Sequence, residues 1–80
     1  MTGRRLSDQE FLAMLAEPGP GWDLDEGGRF LLLPLAERDL GWMLESCREH
    51  AEGDWYVLGG GEAVLFARES DLAFARFLAI

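Results

Sequence analysis

Apolar and polar positions along this chain fall into blocks whose period changes several times, and each change marks an element. Ser7-Asp8-Gln9-Glu10 opens the first block as a capping box, in which the Ser7 side chain takes the Glu10 N–H and Glu10 reaches back to Ser7. Leu6 before the cap and Phe11 after it form the hydrophobic staple. Leu12 and Leu15 are expected to join Phe11 on one face, so a helix over residues 7–17 packs down through that side. Pro18-Gly19-Pro20-Gly21 ends it, because Pro18 cannot continue the backbone hydrogen bonding. Trp22-Asp23-Leu24-Asp25 then switches to period 2, the pattern of a half-buried strand. Glu26-Gly27-Gly28 supplies turn residues, and Arg29 to Leu33 reads as a central strand, apolar on both faces and ended by Pro34. Together these predict a β-hairpin.

Glu37 to Ala51 returns to the helical period, with Leu40, Met43, Leu44, Cys47 and Ala51 in one stripe. Glu37 and Asp39 suit the positive end of that helix dipole, Arg48 and His50 the negative end, and Gly53 is the expected stop. Trp55 to Leu58 and Ala63 to Ala67 are two β-prone runs around Gly59-Gly60-Gly61-Glu62, a second hairpin. Ser70 is expected to cap a last helix from Asp71 to Ala79. Its apolar residues (Leu72, Phe74, Phe77, Leu78, Ile80) wrap most of the circumference, so it should be covered on two sides or sit at an interface. The predicted fold class is α+β: a small antiparallel sheet of two hairpins packed with three helices, in the order α-ββ-α-ββ-α. The predicted core includes Phe11, Leu15, Phe30, Leu32, Leu44, Val57, Phe66 and Phe77.

Composition narrows the picture. Eighty residues make a single domain, 1–80, and 49% of them are hydrophobic, with five Phe, three Trp and fourteen Leu. That excludes the disordered acidic chains, which lack aromatics. The longest apolar run, Phe30 to Ala36, falls far short of the ~20 residues of a membrane span. Residues 1–20 hold no apolar segment behind a basic start, so no secretory signal is expected. The single Cys cannot form an internal disulfide, and the expected compartment is a reducing cytoplasm. Fifteen acidic and seven basic side chains give a net charge of −8, and the pI of about 4.4 argues against direct binding of nucleic acid. All seven basic residues are Arg, and the chain holds no Lys or Asn, the bias of a GC-rich coding sequence. No mobile ammonium group therefore softens the acidic surface.

Candidate chemistry is sparse. Cys47 and His50 stand at i and i+3 and could touch, but Cys47 lies in the apolar stripe, where a free Cys behaves as a small hydrophobe. The spacing implies no third, orienting group. One His, one Cys and scattered carboxylates give no metal-ligand spacing, and Asp23-Leu24-Asp25-Glu26-Gly27-Gly28 is too short for a calcium loop. Gly59-Gly60-Gly61 leads into a strand rather than a helix N-terminus, so it is a turn and not a phosphate cradle. No enzyme, metal or cofactor is expected. At 100° per residue Trp42 projects about 200° from Leu40, beside Arg38, Glu45 and Glu49. Either it packs under the first helix or the Pro-Gly segment, or it is an exposed anchor within an acidic rim. Glu45, Glu49 and Glu52 share one face of the second helix, Asp54 lies just beyond its end, and Asp23, Asp25 and Glu26 mark the first hairpin. The plain reading of these carboxylates is a solvated surface.

The closing stretch, Gly53-Asp54-Trp55-Tyr56-Val57-Leu58-Gly59, then Ala63-Val64-Leu65-Phe66-Ala67 and Asp71-Leu72-Ala73-Phe74, together with size and charge, resembles small acidic proteins of phages and prophages. Among these it is similar to the anti-CRISPR proteins acting on type I systems. The resemblance covers about a third of the chain and is one of packing pattern. It implies a non-enzymatic inhibitor in the host cytoplasm that binds a type I surveillance complex through an acidic, DNA-mimicking surface. The partner-binding residues would be Trp42, Glu45, Glu49, Glu52 and Asp54, with Asp23, Asp25 and Glu26. The competing expectation is a small homo-oligomeric module, antitoxin-like or a virion accessory, that uses its apolar C-terminal helix. Neither reading involves a membrane, and the expected state is a monomer or a homodimer.

Overall fold

The computed structural model describes residues 3–17 and 21–78. The Pro18-Gly19-Pro20 terminator, Ala79 and Ile80 lie outside them. The glycine-rich turn at 59–62 joins strands β2 (Trp55–Leu58) and β3 (Ala63–Phe66) into the expected hairpin. A third strand, β1 (Leu31–Pro34), pairs antiparallel with the other side of β3, giving the order β1-β3-β2. Gly61 carries a φ of +107°, and a Cβ there would meet Leu40 Cδ2 at 2.6 Å, so the turn requires glycine on both counts.

The fold is α+β, as expected, but the central strand is β3 and not the Arg29–Leu33 run. All four residues of β3 are buried, whereas Leu32 in β1 is exposed. Pro34 stays within β1 opposite Ala63, and the edge position explains why. Leu35 N–H donates to the Glu62 carbonyl at 2.9 Å, and the two-residue period of the ladder places Leu33 and Leu31 in the same bonded class. Leu32 and Pro34 then turn their backbone groups outward, so the missing proline N–H costs no ladder bond.

The first expected hairpin is reduced to one bridge, Leu24 to Phe30. Its turn forms, with Asp25 Oδ1 accepting the Gly27 and Arg29 N–H groups at 2.8 and 2.9 Å. Its first strand does not, because Asp23 is drawn elsewhere. The Asp23 N–H donates to the Ala67 carbonyl, and its carboxylate accepts the Glu69 N–H, both at the β3 exit. Among the described residues the chain therefore runs α-β-α-ββ-α.

Helix α1 (Asp8–Ala16) begins with the expected capping box: Ser7 N–H to Glu10 Oε1 at 2.9 Å and Glu10 N–H to Ser7 Oγ at 3.1 Å. The Ser7 N–H, and then Arg4 beside it, hold the Glu10 carboxyl below its ordinary pKa. The staple residues Leu6 and Phe11 are buried. Leu12 and Leu15 are not, at 64% and 46% exposure, which corrects the expected stripe. The helix rolls so that Phe11 and Met14, at i and i+3, face the sheet with Trp22, Phe30 and Tyr56. Leu12 is turned about 100° from Phe11 and leaves that contact.

The second predicted helix divides into a 3-10 turn, Glu37–Asp39, and α2 (Leu40–His50). Met43, Cys47 and Ala51 are buried and Leu40 and Leu44 half-buried, so the stripe is as expected. Helix α3 (Glu69–Leu78) starts before the expected point. Ser70 lies inside it, the Arg68 carbonyl accepts the first helical N–H groups, and Asp23 caps Glu69 from outside.

Strand alternation divides the core. Leu31, Leu33, Trp55, Val57, Val64 and Phe66 meet α2 and α3 on one face of the sheet. Leu65, Tyr56, Leu58 and Phe30 meet α1 and Leu6 on the other. Of the predicted core, Phe11, Val57 and Phe66 are buried, and Phe30 and Leu44 are half-buried. Leu15, Leu32 and Phe77 are exposed: α1 rolls Leu15 away from the sheet, Leu32 sits on an edge strand, and Phe77 lies on the outer face of α3. Met43 has no exposed surface, so Met43→Ala should cost about 2–5 kcal/mol. Half-wet Leu44→Ala should cost about 1–2 kcal/mol, and urea unfolding of the two variants checks the difference.

Candidate functional site

Three glutamates project from one side of the α2 region. Glu45 and Glu49 stand one turn apart on the face opposite Met43, Cys47 and Ala51, and Glu52 follows the helix end; all three are exposed. Like charges at i and i+4 cost a helix a few tenths of a kcal/mol, so this face is maintained against a local penalty. Glu49 lies 3.7 Å from His50 Nε2. Among the described residues, the carboxylates of Glu45 and Glu52 have neither an ion pair nor a hydrogen bond, although Arg48 lies within one turn of both.

Three of the other four candidate carboxylates are engaged by the fold. Asp54 is half-buried and accepts the Arg4 N–H at 3.3 Å, which ties the N-terminal segment to the start of β2. Asp23 caps α3, and Asp25 closes the 25–29 turn. Glu26 is exposed beside that turn. Asp23, Glu52 and Asp54 come together around a groove of about 330 Å³ that Arg68 also lines. Asp25 and Glu26 line a separate groove with Glu69 and Arg76. The candidates thus do not form one patch: Asp23, Glu52 and Asp54 share one groove, Asp25 and Glu26 another, and Glu45 and Glu49 line neither.

Trp42 is neither under α1 nor exposed, and the expected alternative beneath Pro18-Gly19-Pro20 falls on residues outside those described. The side chain is half-buried against the α2–α3 side of the sheet, away from α1, and its Nε1–H donates to Asp39 Oδ1 at 2.9 Å. The indole closes the start of α2, and its polar edge is satisfied. The large exposed aromatics are instead Phe74 and Phe77 of α3, the latter at 75% exposure. Phe74 packs its ring 5.3 Å from that of His50. With Leu78 they form an apolar stripe at i, i+3 and i+4, the residue class that made the last helix unusual in the sequence.

Cys47 and His50 do share a cavity, and Asp71 of α3 lines it with them. The cavity is only about 10 Å³, room for one water at most. Burial, with the Asp71 charge nearby, pushes the Cys47 thiol up to about 11. Both Asp71 oxygens are occupied, accepting the Glu52 and Gly53 N–H groups at 3.0 and 2.9 Å. A nucleophile needs a thiolate fraction that this site suppresses. A disulfide reagent at pH 8 should therefore leave Cys47 unmodified in the folded protein and react within minutes once urea unfolds it. Rapid labelling without denaturant, followed by absorbance, would contradict the burial.

Among the described residues no group of three or more His, Cys, Asp or Glu side chains is placed to hold a metal. No helix among them is long and apolar enough to cross a membrane. No protein-family model, curated protein or solved structure matches this chain.

Proposed function

We propose that this protein is a non-enzymatic inhibitor of the anti-CRISPR kind, which lays the acidic face of α2 in the basic DNA channel of a type I surveillance complex and excludes the target duplex. The observation that carries this reading is the row of exposed carboxylates at Glu45, Glu49 and Glu52, with Glu45 and Glu52 in no ion pair among the described residues. A channel tuned to phosphate attracts such a row, and electrostatic complementarity raises the on-rate and fixes orientation. The Lys-free sequence leaves few cations to oppose docking. Asp23 and Asp54, on the groove next to Glu52, extend the same negative field. The test is competition: purified surveillance complex is mixed with labelled target DNA and increasing amounts of this protein. Displacement of DNA that weakens as salt rises supports the reading, and undiminished DNA binding at saturating protein removes it.

A second reading is favoured by a different observation, the exposed stripe of Phe74, Phe77 and Leu78. On that reading α3 pairs with α3 of another copy in a homo-oligomer. Sedimentation of the partner-free protein separates the two.

A further inference from the structure

We infer that the acidic row of α2 and the apolar stripe of α3 are two halves of one interface, in which Phe77 enters an apolar pocket beside the cationic channel of the inhibited complex. This rests on the inhibitor reading and adds a partner chemistry to it: an apolar pocket in a protein subunit, bordered by Arg or Lys side chains. The two halves meet at His50. Its ring lies 5.3 Å from that of Phe74 across the α2–α3 junction, and its Nε2 stands 3.7 Å from Glu49 Oε2. Ser46, His50, Phe74 and Ala75 line the same small cavity between the helices, so stripe and row are contiguous. Phe74, Phe77 and Leu78 are exposed at 43, 75 and 40%, and Glu45 and Glu49 continue the exposed surface onto α2.

Charge decides what such a surface accepts. The arginines of the two helices stand outside the seam. Arg48 is turned about 100° from Glu49 in the sense opposite to His50, and Arg76 about 100° from Phe77 in the sense opposite to Leu78. Arg76 accordingly lines the grooves beside β1. Phosphate-like contacts alone give the three apolar side chains no role. An aromatic stripe next to carboxylates, on a chain of net charge −8, suits a partner that offers an apolar pocket and cations together. The ring is then the desolvated centre and the carboxylates are the polar rim.

A second copy brings the wrong charge. Antiparallel pairing of α3 about a two-fold axis across the stripe keeps both α2 helices on one side and sets carboxylate row against carboxylate row. Parallel pairing sets the row against the groove of Asp25, Glu26 and Glu69, which outnumber the Arg76 that shares it.

The two halves leave different kinetic traces. Exposed carboxylates act mainly on association and its salt dependence, and an aromatic anchor acts on dissociation. The experiment passes this protein over immobilised, purified type I surveillance complex without DNA and reads both rates at two salt concentrations. Phe77→Ser is expected to speed dissociation by about tenfold or more, with association and its salt dependence as in wild type. Phe77→Leu, still apolar, should fall between. Leu12→Ser, a comparable loss of exposed apolar surface on α1 beyond the sheet, should leave both rates unchanged. Phe77 is exposed, so the urea midpoint of its variants should match the wild type. Wild-type dissociation by Phe77→Ser overturns this inference and leaves the acidic row as the binding surface. No binding by the wild-type protein removes the inhibitor reading and this inference with it. Sedimentation of the partner-free protein as a dimer that Phe77→Ser disrupts would assign the stripe to a second copy and overturn the inference equally.

Discussion

Asp71→Ala is expected to lower the unfolding free energy by about 3 kcal/mol, among the largest losses available from one side chain outside the apolar core. Asp71 is a buried carboxylate whose two oxygens accept the Glu52 and Gly53 N–H groups. Hydrogen bonds to a charged acceptor are worth roughly 1.5–3 kcal/mol each, and removing the acceptor leaves the Gly53 donor buried without a partner. The Glu52 donor is nearer solvent and loses less. The connection between α2 and β2 depends on this clamp, and other contacts are built on it. Gly3 lies so close to it that a Cβ would fall 1.8 Å from the Gly53 carbonyl oxygen, and the Gly3 N–H donates to the Ala51 carbonyl at 2.7 Å. Loosening 52–53 therefore also loosens the N-terminal segment that covers the start of β2. Asp71→Asn should fall between wild type and Ala, at about 1–2 kcal/mol, because its one oxygen satisfies one donor while its NH₂ opposes the other. Urea unfolding with an unchanged m-value checks both. A loss below about 0.5 kcal/mol for Ala would mean that the clamp is replaceable by water.

Asp71 also illustrates what the sequence conceals. As an acid in the first turn of a helix it reads as a routine complement to the dipole, and nothing local reveals that it reaches donors 18 and 19 residues back. Asp23 is the same case over a longer span: period 2 gave it a strand, while its carboxylate caps a helix 46 residues away. Local grammar was legible where partners are three or four residues apart. The Ser7–Glu10 box, the 59–62 turn and the Met43–Cys47–Ala51 stripe all formed as expected. What failed were choices between similar faces. Three consecutive leucines at 31–33 do not say which strand is central, and the roll of α1 was decided by an aromatic wall contributed from elsewhere. The candidate site divides the same way. The helical period alone put Glu45 and Glu49 opposite the core, but Asp23, Asp25 and Asp54 gave no sign that backbone donors would claim them.

Glu45→Arg with Glu49→Arg is expected to weaken binding to a type I surveillance complex by at least two orders of magnitude while leaving the fold intact. Both positions are exposed and face away from Met43 and Cys47, and exposed substitutions usually change stability by no more than about 0.5 kcal/mol. The swap replaces one repulsive i, i+4 pair with another, so the helix itself neither gains nor loses much. At the partner, two attractive contacts become repulsive, and like-charge juxtaposition costs several kcal/mol; each ~1.4 kcal/mol is tenfold in affinity. Net charge changes as well, so the comparison must separate local from global effects. Glu17→Arg with Glu62→Arg makes the same change in net charge at exposed positions outside the α2 row. If the α2 row docks in the channel, the first pair should abolish displacement of target DNA and the second should slow association only modestly. Raised salt should weaken the wild-type complex mainly through its on-rate, since rim charges are screened beyond about 10 Å at 0.1 M. Equal losses from both pairs would reduce the effect to net charge. Full displacement by the α2 variant, with no salt dependence in the wild type, would shift the binding surface to Phe74, Phe77 and Leu78, where Phe77→Ser becomes the disabling change.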